Sequence, residues 1–160
     1  MIAKGLGGGY QPIGGILIAG RIVDALANGT GGFLHGQTYQ AHPVACAAAL
    51  AVQHVIRDDG LLDNVRAMGT RLEAALIERF GNHRHIGDIR GRGLFWAIVT
   101  TVNRDDVVAA ALERDLWVYP AGSGPVPNAV MLAPPFVITE DETVELVARL
   151  RAAFDAVAAA

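Results

Sequence analysis

The opening run M-I-A-K-G-L-G-G-G-Y-Q-P-I-G constrains the chain most, because it sets a lysine between a short apolar lead and a loop crowded with glycine. Residues 1–3 read as the end of a strand, and 13–19 (I-G-G-I-L-I-A) as a second, buried one, since an almost wholly apolar run bounded by glycine suits a sheet covered on both faces. Lys4 is the only lysine in the chain, against twelve arginines. An amine at a strand end, beside mobile backbone, can reach into a cleft and form an imine with an aldehyde; lysine does this once burial or nearby positive charge lowers its pKa. A surface lysine beside a turn is the plain alternative. A nucleotide phosphate loop would put the lysine after the glycines, and here it precedes them.

Beyond that run the periodicity predicts a short helix over 21–27 and a glycine-rich loop over 28–36. A helix opened by Pro43 is expected to run to about Arg57. Val44, Ala45, Ala47, Ala48, Leu50, Ala51, Val52, Val55 and Ile56 leave that helix hardly any polar face, so it is expected to be buried between layers or against a partner subunit. Cys46 then reads as a small core residue. The break Asp58-Asp59-Gly60 suggests a domain boundary near residue 58, dividing the chain into 1–57 and 58–160.

After it, Leu61, Val65, Met68, Leu72, Leu76 and Phe80 share one face of a helix over 61–80. Residues 86–101 predict two strands joined through R-G-R-G. Asn103 caps a helix that turns Val107, Val108, Ala111 and Leu112 inward. A strand over 116–119 is expected to stop at Pro120, with 120–128 a loop and 129–132 another strand. Thr139 and Glu142 form a capping box for a last helix burying Val144, Val147, Leu150, Phe154 and Val157. The order β-β-α-β-β-α after residue 82 describes a small α+β domain packed behind a larger α/β one.

Composition excludes several functions. A net charge of −3 without a basic run argues against nucleic acid or anionic membrane as partner. The longest apolar run, Pro43–Val52, is too short to span a bilayer. A single cysteine and no leader pattern fit a cytoplasmic protein. No metal site is expected: His35 and His42 lack cysteine or carboxylate companions at ligand spacing, and His83 and His85 flank Arg84 in what reads as a solvated connector. With Ser123 the sole serine and no G-x-S-x-G, a catalytic triad is not supported. In H-G-Q-T-Y-Q-A-H-P, Thr38 offers a hydroxyl and an N–H ahead of a helix N-terminus, which suits a phosphate; a polar turn capping the Pro43 helix accounts for it equally.

Together, A-K-G-L-G-G-G-Y-Q-P-I-G and H-G-Q-T-Y-Q-A-H-P-V-A-C-A-A-A-L resemble the class III aminotransferases, pyridoxal 5'-phosphate enzymes of the fold type I, aspartate-aminotransferase-like class. R-G-R-G-L-F-W-A-I, W-V-Y-P and M-L-A-P-P-F-V-I-T-E-D-E continue the resemblance along the whole chain. It implies an α/β fold in which 1–57 ends the large cofactor domain and 58–160 forms the small α+β domain, the chain being the C-terminal part of something larger. It implies that Lys4 binds the cofactor covalently and carries the catalytic proton, and that Thr38 holds the cofactor phosphate across a homodimer interface. The implied reaction moves an amino group from an amine or ω-amino acid to a 2-oxo acid such as pyruvate. An aminomutase, a decarboxylase or a non-catalytic dimerising chain are the alternatives. The family's other cofactor contacts precede the lysine, so these 160 residues alone are expected not to turn over. Met131 stands where several members place a carboxylate-binding arginine, and 120–130 hold none; either an arginine upstream does that work or the donor is a neutral amine.

Overall fold

The computed structural model describes residues 1–159, which divide into two compact units, the first Met1–Gly60 and the second beginning at Leu61.

In the first unit, β1 (Ile2–Ala3) pairs antiparallel with β2 (Gly14–Gly15), in the register Ile2↔Gly15 and Ala3↔Gly14. Helix α1 spans Gly20–Asn28 and α2 spans Pro43–Asp58. The expected strand over 13–19 shrinks to Gly14–Gly15. Ile16 and Leu17 are 66% and 74% exposed, so apolar character here does not mark a paired strand within the unit. Helix α2 has the expected ends but not the expected burial. Only Ala45 and Ala49 are buried, with Ala48, Val52 and Ile56 completing a half-buried stripe, while Val44, Leu50 and Val55 lie open. Cys46 is exposed rather than a core residue, because one residue's turn of about 100° carries it off that stripe.

The second unit has a core of its own. Helix α3 (Leu61–Phe80) is followed by β3 (Ile86–Arg92), β4 (Phe95–Thr100), α4 (Arg104–Leu112), β5 (Tyr119–Ser123), β6 (Val126–Leu132) and α5 (Glu140–Ala159). This is the expected β-β-α-β-β-α order, and the antiparallel sheet runs β3-β4-β6-β5. On one sheet face the pairs Trp96↔Leu132 and Ile98↔Val130 are buried, and they cluster with Leu72, Leu76 and Phe80 of α3, Val107 and Ala111 of α4, and Leu150 and Phe154 of α5. The helical stripe read for α3 is therefore the one that packs.

Local chemistry explains the turns. β3 and β4 join through Gly93-Leu94, with Gly93 at φ +58°, the positive value that a two-residue hairpin matched to strand twist requires. Asn103 Oδ1 accepts from the Asp105 N–H at 3.0 Å, capping α4. Thr139 N–H donates to Glu142 Oε2 at 2.8 Å while Glu142 N–H donates to Thr139 Oγ1 at 3.3 Å, a closed capping box. The Thr139 N–H and the Thr139 hydroxyl, at 2.8 and 2.9 Å, both donate to Glu142 Oε2 and hold the Glu142 carboxyl below its ordinary pKa.

Three details differ from expectation. Leu112 and Val144 are 61% and 63% exposed, whereas Ala110 and Thr143 take inward positions. β5 begins at Tyr119 and continues through Pro120, so 119–132 is a hairpin and not a strand, loop and strand. β5 is an edge strand, where proline's missing N–H removes no ladder bond. Pro127 lies beside the register shift at Gly122 and beyond the last β4 partner, Ala129. His83 and His85 are not a solvated pair: the His83 side chain is only 6% exposed, packed near the rings of Phe80 and Phe154.

Candidate active site

Lys4 opens a 3-10 turn, Lys4–Gly7, directly after β1. Its φ is +53°, one of three non-glycine residues with positive φ among those described. A lysine costs about 1 kcal/mol or more in that region, a strain that persists only where surrounding structure enforces it. Here the enforcement is visible on both sides. Upstream, the β1–β2 ladder ends at Ala3↔Gly14, so the chain must leave the strand at once. Downstream, Gly8 N–H bonds the Gly5 carbonyl at 3.3 Å and Tyr10 N–H the Gly7 carbonyl at 3.0 Å, curling the loop on itself.

The glycines have separate reasons. Gly8 and Gly9 sit at φ +57° and +82°. Gly7 is buried, and a Cβ there would lie 2.8 Å from Ile13 Cγ2. A Cβ on Gly8 would approach Val52 Cγ2 of α2 at 3.2 Å. Helix α2 also grips the loop by a directed bond: Gln53 Nε2 donates to the Leu6 carbonyl at 3.0 Å. Gln53 directly follows the apolar run Pro43–Val52, and a polar amide next to an apolar stripe is the signal the sequence offers for it.

Thr38 lies in the turn 38–41, exposed, five residues ahead of α2. Gln40 N–H donates to the Gln37 carbonyl at 2.9 Å and His42 N–H to the Tyr39 carbonyl at 3.3 Å, with Ala41 at φ +55°. The cap of α2 is His42, whose Nδ1 accepts from the Ala45 N–H at 3.3 Å; Pro43 takes the first helical position. Thr38 thus has no capping duty, and among the described residues its hydroxyl makes no side-chain hydrogen bond. Lys4 and Thr38 are both exposed and share no bond; α2 is their common support, its N-terminus following the Thr38 turn and its Gln53 holding the lysine loop.

The second unit carries an open cleft of about 760 Å³, lined in part by Trp117, Met131, Pro134, Glu142 and Arg149. Three of its charged groups, Glu142, Glu145 and Arg149, are already engaged. Glu142 serves the Thr139 cap, and Arg149 donates to the Arg114 and Asp115 carbonyls at 2.9 Å each and to Glu145 at 2.6 Å. Its lining contains no lysine, cysteine, serine or histidine, so the candidate chemistry stays with the lysine loop.

A family model described as aminotransferase class-III matches residues 1–154. This chain belongs to the class III aminotransferase family. An uncharacterized aminotransferase of Schizosaccharomyces pombe is 40% identical over 93% of the chain and 36% of that protein. Among solved structures, a transaminase from directed evolution by ancestral reconstruction superposes with a TM-score of 0.91 at 31% identity, over 98% of this chain and 37% of the other. An amine transaminase from an uncultivated Pseudomonas species, in its pyridoxal-phosphate-bound form, gives 0.87 at 32% identity, over 97% and 37%. The family uses pyridoxal phosphate. The chain spans roughly a third of the length of these relatives, and its mixed α/β structure corresponds to their C-terminal portion. Among the described residues, no helix is long and apolar enough to cross a membrane.

Proposed function

We propose that this chain supplies the lysine-bearing part of a pyridoxal-phosphate transaminase that moves an amino group from an amine or ω-amino acid to a 2-oxo acid such as pyruvate. The observation that carries the reading is the strained backbone at Lys4: the chain's only lysine, exposed at the head of a glycine loop that α2 holds in place. The donor set fits the cofactor in two respects. An accessible primary amine can bond an aldehyde, and Thr38 presents an uncommitted hydroxyl suited to a phosphate oxygen. The cofactor, when bound, supplies the electron sink. Lys4 would hold the cofactor through its Nζ amine, and the same amine would serve as the group that takes up and returns the proton at the donor carbon. The fixed φ at Lys4 and the Gln53–Leu6 bond aim that amine.

Residues 1–57 act in this reading as the end of the cofactor-binding domain and 58–160 as the small domain. Thr38 serves the neighbouring chain's cofactor in a homodimer. The exposed apolar side chains of the first unit, among them Leu17, Leu34, Val44 and Leu50, support burial of that unit against further polypeptide. A reducing, cytoplasmic setting accords with one unpaired cysteine, and a neutral amine as donor with the absence of arginine over 120–130. The 160 residues bind the aldehyde without turning over.

Incubation with pyridoxal phosphate, reduction by borohydride and peptide mapping tests the assignment. Fragment-ion sequencing is expected to place the label on the Lys4 side chain, and none at position 4 in Lys4→Arg, where the guanidinium does not form the bond. Label confined to the Met1 amine in the unaltered chain overturns it.

A further inference from the structure

We propose that Asn28 is a site of spontaneous covalent modification: the end of α1 leaves its side-chain amide open to attack by the next backbone nitrogen, and it converts to aspartate and isoaspartate. The chemistry needs only that nitrogen and water. The Gly29 nitrogen gives up its proton and bonds to Asn28 Cγ. The Cγ–Nδ2 bond breaks, and the side-chain nitrogen leaves as ammonia with that proton. Water then opens the five-membered imide at either carbonyl. One water enters and one ammonia leaves, with nothing oxidised or reduced.

Approach limits this reaction. A side chain on the following residue crowds the attacking nitrogen, and a hydrogen bond to either group holds it away from the other. The chain has five asparagines, and four of them meet such an obstacle. Asn64 Nδ2 donates to the Phe136 and Ile138 carbonyls at 2.7 and 3.0 Å, and Val65 follows it inside α3. Asn103 Oδ1 accepts from the Asp105 N–H at 3.0 Å, and Arg104 follows. Asn82 is exposed, but the His83 N–H that would attack it donates to the Phe80 carbonyl at 2.9 Å. Asn128 lies within β6, where its neighbour Ala129 pairs with both Val99 and Ala121.

Asn28 is placed differently. It is exposed at the last position of α1, and among the described residues its side chain makes no hydrogen bond. The Gly29 N–H reaches the Leu26 carbonyl at only 3.3 Å, and shares that acceptor with the Gly31 N–H at 2.9 Å. The fold itself asks for glycine at 29, since a Cβ there would lie 2.9 Å from the Ala25 carbonyl oxygen. The residue that lets the helix end therefore also lacks the Cβ that would shield the attacking nitrogen. Asp59–Gly60 shares the glycine, but a carboxylate is a poorer electrophile than an amide.

Either product puts a carboxylate where α1 tolerates it least. Position 28 follows Asp24 by four residues, so two like charges would stand one turn apart, at the negative end of the helix dipole. No residue of α1 is buried, so packing offers little resistance to fraying. Conversion thus loosens the helix that stands in the chain between the lysine loop and the Thr38 turn.

The test holds the 160-residue chain in mildly alkaline buffer and follows its peptides by mass spectrometry for the gain of about 1 Da that replacing NH2 by OH gives. Electron-transfer fragmentation separates aspartate from isoaspartate. Asn28 is expected to convert about tenfold or more faster than any of the other four asparagines. Asn28→Gln, whose ring closure would be six-membered, is expected to abolish that fast step. Faster conversion at Asn82, or equal rates at all five, overturns the assignment. Hydrogen exchange of Asn28→Asp is expected to show protection over 20–28 lowered about two- to tenfold, with 96–99 unchanged. Protection over 20–28 equal to that of the unaltered chain overturns the loosening of α1.

Discussion

Replacing Gly69 by alanine separates the structural reading from one based on helix propensity alone. Gly69 lies inside α3, where alanine ordinarily gains about 1 kcal/mol over glycine. In this fold a Cβ at 69 would stand 2.7 Å from Gly93 Cα and 2.8 Å from its carbonyl carbon and oxygen. That is about 0.7 Å short of ordinary contact, and the obstruction is backbone, so no rotamer relieves it. Gly93 cannot retreat freely, because its φ of +58° closes the β3–β4 hairpin and its carbonyl accepts from Trp96 Nε1 at 2.7 Å. Overpacking of this kind costs about 1–3 kcal/mol, and losing the Trp96 bond about 1 kcal/mol more. Against the helix gain, the net is a destabilisation of about 1–3 kcal/mol, a fall of roughly 5–15 °C in Tm for a unit of this size. Urea and thermal unfolding followed by circular dichroism would measure it. Gly87→Ala, whose Cβ would meet nothing closer than Val99 Cγ1 at 3.9 Å, is the control and should change stability by less than about 0.5 kcal/mol. A Gly69→Ala chain as stable as the unaltered one, or more so, would refute the close approach of α3 to the hairpin.

Leu76→Ala, at a fully buried position of the second unit, should lower unfolding free energy by about 2–5 kcal/mol in urea titration. Arg104→Leu should cost about 1–3 kcal/mol, because its guanidinium satisfies the carbonyls of Ala121, Gly122 and Pro127 at 2.6, 3.2 and 3.0 Å; amide exchange should rise first across 119–128. The Glu142 carboxyl is held low by its bonds from Thr139, so its contribution is present above the ordinary glutamate range and lost as pH falls through the lowered value. Glu142→Gln should therefore reduce the acid dependence of thermal unfolding, whereas an unchanged profile would show that the capping box contributes nothing there. Gln53→Ala should leave the circular dichroism of α2 intact yet slow the borohydride-trapped labelling of Lys4, since it removes only the bond to the Leu6 carbonyl.

The two halves of the chain were unequally legible, and the reason is physical. In the second unit the residues that bury one another are all present, so periodicity and partner coincide: Leu72, Leu76 and Phe80 recur at helical spacing and meet Leu150 and Phe154 at theirs. The misreadings there came from edges and caps. Pro120 was read as a stop because proline cannot serve a central strand, but topology places it on an edge, which no local pattern announces. His83 and His85 read as solvated because polar spacing does not show the Phe80 and Phe154 rings that close over His83.

In the first unit, apolar periodicity reports a demand for burial without naming what meets it. Ile16, Leu17, Val44 and Leu50 all show the pattern and all lie open, so the expected strand and buried helix failed as statements about this chain's own packing. The lysine loop was legible for a different reason: glycines at defined offsets reflect backbone geometry, and Gly8 and Gly9 do take left-handed φ. What no residue pattern revealed was that Lys4 shares that conformation, since only glycine advertises it. The strain at Lys4 can be enforced because the β1–β2 ladder and Gln53 pin the loop from two sides. The Lys4 backbone is therefore held by elements within Met1–Gly60, even though large apolar side chains such as Leu17, Leu34 and Leu50 of that unit lie open.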